Sequence, residues 1–110
     1  MDQASTGQGF ETTGQLSAEH FRPHLTKIFR VRAGRHGLTL AEVQMPALSE
    51  AQRQVLPRQP FMLIFRGPPA DILREGLYTF EVEGGPAFEF YVMPIQTFAR
   101  DCQDYQAVFN

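Results

Sequence analysis

The chain contains no tryptophan, one lysine and one cysteine. The single thiol, Cys102, rules out an intramolecular disulfide and fits a reducing compartment. No apolar run approaches the ~20 residues that a membrane-crossing helix needs. Met1 to Gln15 is dominated by Gly, Gln, Thr and Ser, with neither a basic start nor an apolar run, so it does not read as a signal peptide. A soluble, cytoplasmic protein without a membrane partner is therefore expected. Positive charge is also limited: Lys and Arg total 10 against 12 for Asp and Glu, giving a net charge of −2. Arg30, Arg32 and Arg35 form the one local basic cluster. A general nucleic-acid binder needs a concentrated positive field to release counterions, so no nucleic-acid partner is expected.

What the chain does have is phenylalanine, 10 of them in 110 residues. Phe carries no polar handle, so most of the aromatic mass suits core filling. A chain of this length buries roughly two thirds of its unfolded surface, enough for one domain without metals or disulfides. Pro60 to Pro68, Pro-Phe-Met-Leu-Ile-Phe-Arg-Gly-Pro, is apolar at alternate positions on both faces. A strand of that pattern lies inside a sheet, fenced here by Pro60 and by Gly67-Pro68-Pro69.

The rest of the chain is arranged around that strand. Residues 1–14 lack periodicity and read as a flexible tail, leaving 15–110 as a single β-rich domain. Ser17 caps a short helix that Pro23 stops near His24 or Leu25, and Leu16 and Phe21 are spaced as a hydrophobic staple. Thr26 to Arg32 and Leu38 to Met45 alternate as a hairpin around Ala33–Gly37, where Gly34 and Gly37 supply positive φ. The apolar parity changes near Ala41 and Glu42, which predicts a bulge. Pro46 to Gln59 is a surface loop with at most one or two helical turns, beginning at the capping box Ser49–Gln52. Ile72 and Leu73 tuck inward from the next connection. Tyr78, Phe80 and Val82 face Phe88, Phe90 and Val92 across a Gly84-Gly85 hairpin, whose primed turn requires positive φ at both glycines. Tyr105 to Phe109 is the last strand. The class is mainly β: a small six-stranded antiparallel barrel or compact sandwich with one short N-terminal helix.

Catalytic constellations are missing. His20 and His24 stand four apart, but Pro23 lies between them and no further ligand is near, so they read as solvent-facing rather than as a metal pair. His36 sits in a turn and reads as exposed. Asp101 and Asp104 raise the Cys102 pKa and blunt its nucleophilicity. Glu81, Glu83 and Glu89 fall on a solvated strand face, without the desolvation that separates the pKa values of paired acids. No catalytic residue, metal site or cofactor is expected, and the protein reads as a non-enzyme.

One surface remains. Met62 and Ile64, with Arg66 at the strand exit, share the outer side of the sheet with Tyr91 and Met93. Either the N-terminal helix covers this apolar face through Leu16, Phe21 and Leu25, or it meets another protein or a second copy of the chain.

Pro60–Pro68, Gly76-Leu-Tyr-Thr-Phe80, Phe88–Ile95 and the closing Tyr105-Gln-Ala-Val-Phe-Asn110, with Phe21, Phe29–Val31 and Leu38–Val43, together resemble a family of small uncharacterised bacterial domains. The resemblance spans most of residues 16–110. Members of that family end in Tyr-x-Ala-Val-Phe-Asn and are encoded near phage-tail-like or tail-collar proteins. It implies no activity, cofactor or catalytic residue. It does imply an accessory role in such an assembly, as a protein-interaction or structural domain. The chain departs from the family at Gly84-Gly85-Pro86, where relatives carry a longer turn containing His-Pro. A barrel holding an apolar small ligand in its Phe-rich interior is the alternative expectation.

Overall fold

The computed structural model describes residues 10–11 and 16–110. The strands are β1 (Phe10–Glu11), β2 (Ile28–Val31), β3 (Gly37–Gln44), β4 (Phe61–Gly67), β5 (Gly76–Val82), β6 (Ala87–Pro94) and β7 (Gln103–Phe109). Two helices accompany them, α1 (Ala18–Phe21), which runs on into a 3-10 turn over Arg22–His24, and α2 (Glu50–Val55). Of the tail expected over residues 1–14, Phe10–Glu11 are strand and pair in parallel with Ala87 and Phe88. The remainder of that tail lies outside the described residues.

Six strands close an antiparallel barrel in the order β6-β5-β2-β3-β4-β7, with β7 returning to β6. β4 lies in the sheet as its pattern requires, paired with β3 on one side and β7 on the other. Its Phe61, Leu63 and Phe65 are buried. The register of β3 against β4 slips between Leu40 and Glu42, so the parity change is a bulge, and it bends the strand where closure needs a corner. Beyond it Val43 packs on the core, whereas Met45 lies past the strand end and is exposed.

Closure is uneven. β7 pairs with β4 over its whole length but with β6 only at Met93↔Gln106 and Pro94↔Tyr105. Where the two strands part, α1 fills the space. Phe21 is fully buried, with ring centroids 4.7 Å from Phe88, 5.5 Å from Phe109, 5.8 Å from Phe90 and 5.9 Å from Phe61. The helix therefore serves the barrel interior, and the expectation that it covers the outer face of β4 is corrected. Phe21 sits among rings, whereas the outer face offers only a mixed polar and apolar surface, so burial draws the helix inward. Leu16 follows it, and Arg58 holds the arrangement by donating from Nη1 to the Leu16 carbonyl and from Nε to Asn110 O at 2.8 Å.

The turns differ from expectation in an informative way. In the β2–β3 turn, positive φ falls on Ala33 (61°) and on neither Gly34 nor Gly37. At the β5–β6 tip only Gly84 is left-handed (φ 75°). The amide of Gly85 donates to Val82 O at 2.9 Å, so a four-residue turn with one left-handed position suffices. Gly85 answers a different need, because a Cβ there would stand 2.9 Å from the His24 ring. Thr26 is also left-handed, φ 71°. That conformation puts strain on the order of 1–2 kcal/mol on a residue with a Cβ. Leu73 is buried as expected, its amide held by the Tyr105 hydroxyl, whereas its neighbour Ile72 is exposed. β7 begins two residues before Tyr105, its added rungs being Gln103↔Gly67 and Asp104↔Arg66. α2 starts at the Ser49–Gln52 capping box and buries none of its side chains, matching the expected surface segment.

Candidate functional site: the outer face across the β6–β7 seam

The inward half of each strand is committed to the core. Eight Phe rings and Tyr105 are fully buried, and neighbouring centroids lie as close as 4.4 Å for Phe61–Phe109 and 4.5 Å for Phe80–Phe90. Stacked rings at that spacing leave the barrel filled by its own side chains.

Strand alternation then fixes what points outward. In β4 these are Met62, Ile64 and Arg66, in β6 Tyr91 and Met93, in β7 Gln106 and Val108, and in β5 Leu77. The registers draw them into rows: Met62 faces Val108, Ile64 faces Gln106 and through it Met93, and Leu77 faces Tyr91. The sequence-predicted residues thus share one surface, and it crosses the seam where β6 and β7 pair for only two residues. Their accessibility is graded. Ile64 is 9% exposed, Met62 and Met93 are half-buried, Tyr91 is 43% exposed, and Val108 and Leu77 are open. Val108 and Leu77 were not singled out from sequence, although the alternation that sends Ala107, Phe109 and Tyr78 inward sends both of them out.

The polar rim is partly committed. Arg66 Nε lies 3.3 Å from Asp104 Oδ1, the neighbour that cross-strand pairing gives it. Tyr91 donates from its hydroxyl to the Glu75 carboxylate, and that bond, ahead of burial, raises the phenol pKa. Arg66 and Tyr91 are thus both tied to carboxylates, on a surface whose apolar side chains flank Gln106.

The histidines take other places than expected. His20 Nδ1 accepts from the Ser17 amide at 2.9 Å, so it closes the first turn of α1. His24 stands edge-on to Phe29 and Phe88, with Nδ1 buried and no hydrogen-bond partner, and burial followed by Lys27 lowers its pKa. It is a packed ring, not a solvent-facing one. His36 is likewise enclosed, its side chain 14% exposed and Nε2 3.2 Å from Asp71 Oδ1, because the 68–75 connection folds over the turn that carries it. Cys102 is half-buried, and burial first, then Asp104 and Asp101, raises its thiol pKa as the acidic setting predicts. Glu81 meets Arg32 Nε at 2.8 Å on the outer surface. Among the described residues no three His, Cys, Asp or Glu side chains gather as a metal-ligand group, and no helix is long and apolar enough to cross a membrane.

No curated protein and no solved structure matches the chain. The family model for the domain of unknown function DUF6916 matches residues 16–109, from the start of the helical segment to the last residue of β7. The barrel with its α1 plug is therefore the unit that the family defines, and the chain belongs to the DUF6916 family.

Proposed function

We propose that the domain is a non-enzymatic protein-interaction module that docks through the outer face of β4, β6 and β7, as an accessory part of a phage-tail-like bacterial assembly. The observation that carries this reading is the placement of α1: the element available to cover Met62, Ile64 and Met93 is inside the barrel. Ile64 is nearly buried by its neighbours, so the apolar surface left for another chain, either a second copy or a partner protein, is that of Met62, Met93 and the open Val108. A barrel that holds an apolar ligand is disfavoured, because Phe side chains occupy the space such a ligand would need.

The test is Met93→Glu together with Val108→Glu, read by sedimentation of the purified protein over a concentration range and by co-purification from the native host. Both positions are outward, so the far-UV spectrum and melting temperature should stay near wild type. The wild type should self-associate or bring down a partner, and the doubly substituted chain should lose that contact. A wild type that stays monomeric and partnerless, or an association that both charges leave intact, would reject this face.

A further inference from the structure

A second surface, away from the β6–β7 seam and independent of the reading above, lies where the chain enters β2. His24 to Lys27 form a turn in which Leu25 has φ −55° and ψ 137°, Thr26 has φ 71°, and the Lys27 amide donates to His24 O at 3.0 Å. These are the angles of a type II turn, whose third position is taken by Gly or Asn. The same residue opens a bulge: Thr26 N–H donates to Leu40 O at 2.8 Å, and Leu40 N–H donates to Lys27 O at 3.0 Å, so two residues oppose one. A bulge of that kind also asks for glycine at its first position. The backbone therefore calls for glycine twice at a site that holds a β-branched residue. What the threonine adds is its side chain.

Thr26 lines an open groove of about 430 Å³ with Lys27, Ile28, Arg30 and Glu83. The volume is within the range of small-molecule sites. Arg22, Arg32, Arg35 and Arg66 each lie against a carboxylate. Lys27 and Arg30 have no such partner among the described residues, and neither does Glu83. Gly37 does not have positive φ, so its backbone does not require glycine. A Cβ there would stand 3.0 Å from Ile28 Cγ2 and 3.4 Å from Arg30 Nη1. The missing side chain is what lets the exposed Ile28 and the Arg30 guanidinium lie across the strand beside the groove.

We infer that this groove binds a phosphorylated sugar or polyol. Lys27 and Arg30 take the phosphate, as unpaired cations do. The Thr26 hydroxyl and the Glu83 carboxylate hydrogen-bond hydroxyl groups, and Ile28 offers an apolar surface to the carbon skeleton. Strain at Thr26 persists because its hydroxyl belongs to the site.

The experiment is a titration of amide chemical shifts in the full chain at low salt, with glucose 6-phosphate, inorganic phosphate and glucose as separate probes. Glucose 6-phosphate should give saturable shifts centred on residues 26–30, 37 and 83–84, at an affinity at least about tenfold above either other probe. Lys27→Gln with Arg30→Gln should abolish them. Thr26→Gly should raise the melting temperature, by relieving the turn, while weakening binding several-fold. The inference is overturned if glucose 6-phosphate gives no saturable shift at millimolar concentration, if the double substitution leaves binding intact, or if phosphate alone binds as tightly, which would mark an adventitious ion only. Thr26→Gly with unchanged affinity would remove the threonine from the site and overturn its role.

Discussion

The two ends of the barrel are closed by opposite means. At one end, where residues 32–36, 68–75 and 95–102 meet, the contacts are polar. Asp71 receives Arg35 in a two-pronged grip of 3.0 and 2.7 Å, with His36 beside it. The Leu73 amide donates to the buried Tyr105 hydroxyl at 2.8 Å, and the Tyr78 hydroxyl donates to Arg74 O at 2.7 Å. Thr97 Oγ1 accepts from the Asp104 amide at 2.8 Å. At the other end the stopper is carbon. Phe21 enters among five Phe rings, and His24 stacks edge-on over two of them beneath the 83–86 tip. Burial is non-directional and depends on volume, whereas hydrogen bonds and ion pairs depend on geometry, protonation and salt. The aromatic end should therefore fail when atoms are removed, and the polar end when donors or charges are.

The largest effect should come from Phe21→Ala. Removing a fully buried ring that touches five others should destabilise the domain by ~3–5 kcal/mol, read as a lowered urea midpoint. A loss under ~1 kcal/mol would mean that the end collapses readily and that the ring is no plug. Tyr105→Phe tests the polar end with almost no change in volume. It leaves the Leu73 amide buried without its partner, for a loss of ~1–3 kcal/mol and faster hydrogen exchange at that amide.

Acid should separate the ends by pH window, which is the finest of the three tests. His24 has a folded pKa below its ordinary 6.5, chiefly through burial and then through Lys27. Below about 6.5 the unfolded chain binds this proton more readily than the folded one, so stability falls as pH drops through that value and toward the lower folded value. Asp71 has its pKa lowered from 3.8, first by the hydrogen bond from Arg35, and its contribution is lost only as pH falls below about 3.8. Urea midpoints followed against pH should show the first decline removed by His24→Gln and the second by Asp71→Asn. A first decline that survives His24→Gln would detach the aromatic end from any pH dependence.

Much of this architecture could be read from the sequence, because period-two alternation is a local signal. The inward sets Phe61-Leu63-Phe65, Phe80-Val82 and Phe88-Phe90-Val92 are buried as the pattern requires, and the bulge beside Glu42 stands where parity changes. The outer face of β4 and β6 was legible for the same reason. What could not be read is where a four-residue helix goes. Phe21 presents the same spacing whether it lies outside the sheet or inside the barrel, and only the parting of β6 from β7 decides. β1 escaped notice because two residues carry no period. His36 looked exposed because its cover comes from the 68–75 connection, remote in sequence. Thr26 reads as a good strand former, so nothing local announces that it has φ 71°.

The pairing of β4 with β7 also sets an order of events during synthesis. β4 carries five apolar residues in a row, Phe61–Phe65, and one of its neighbours, β3, precedes it in the chain, while the other, Gln103–Phe109, is translated last of all the strands. Until that segment leaves the ribosome, Phe61–Gly67 holds an open hydrogen-bonding edge, the kind of template on which nascent chains aggregate. The ring cannot close until β7 has been made. A chain stalled or cut before β7 should accumulate as an edge-exposed species that chaperones bind.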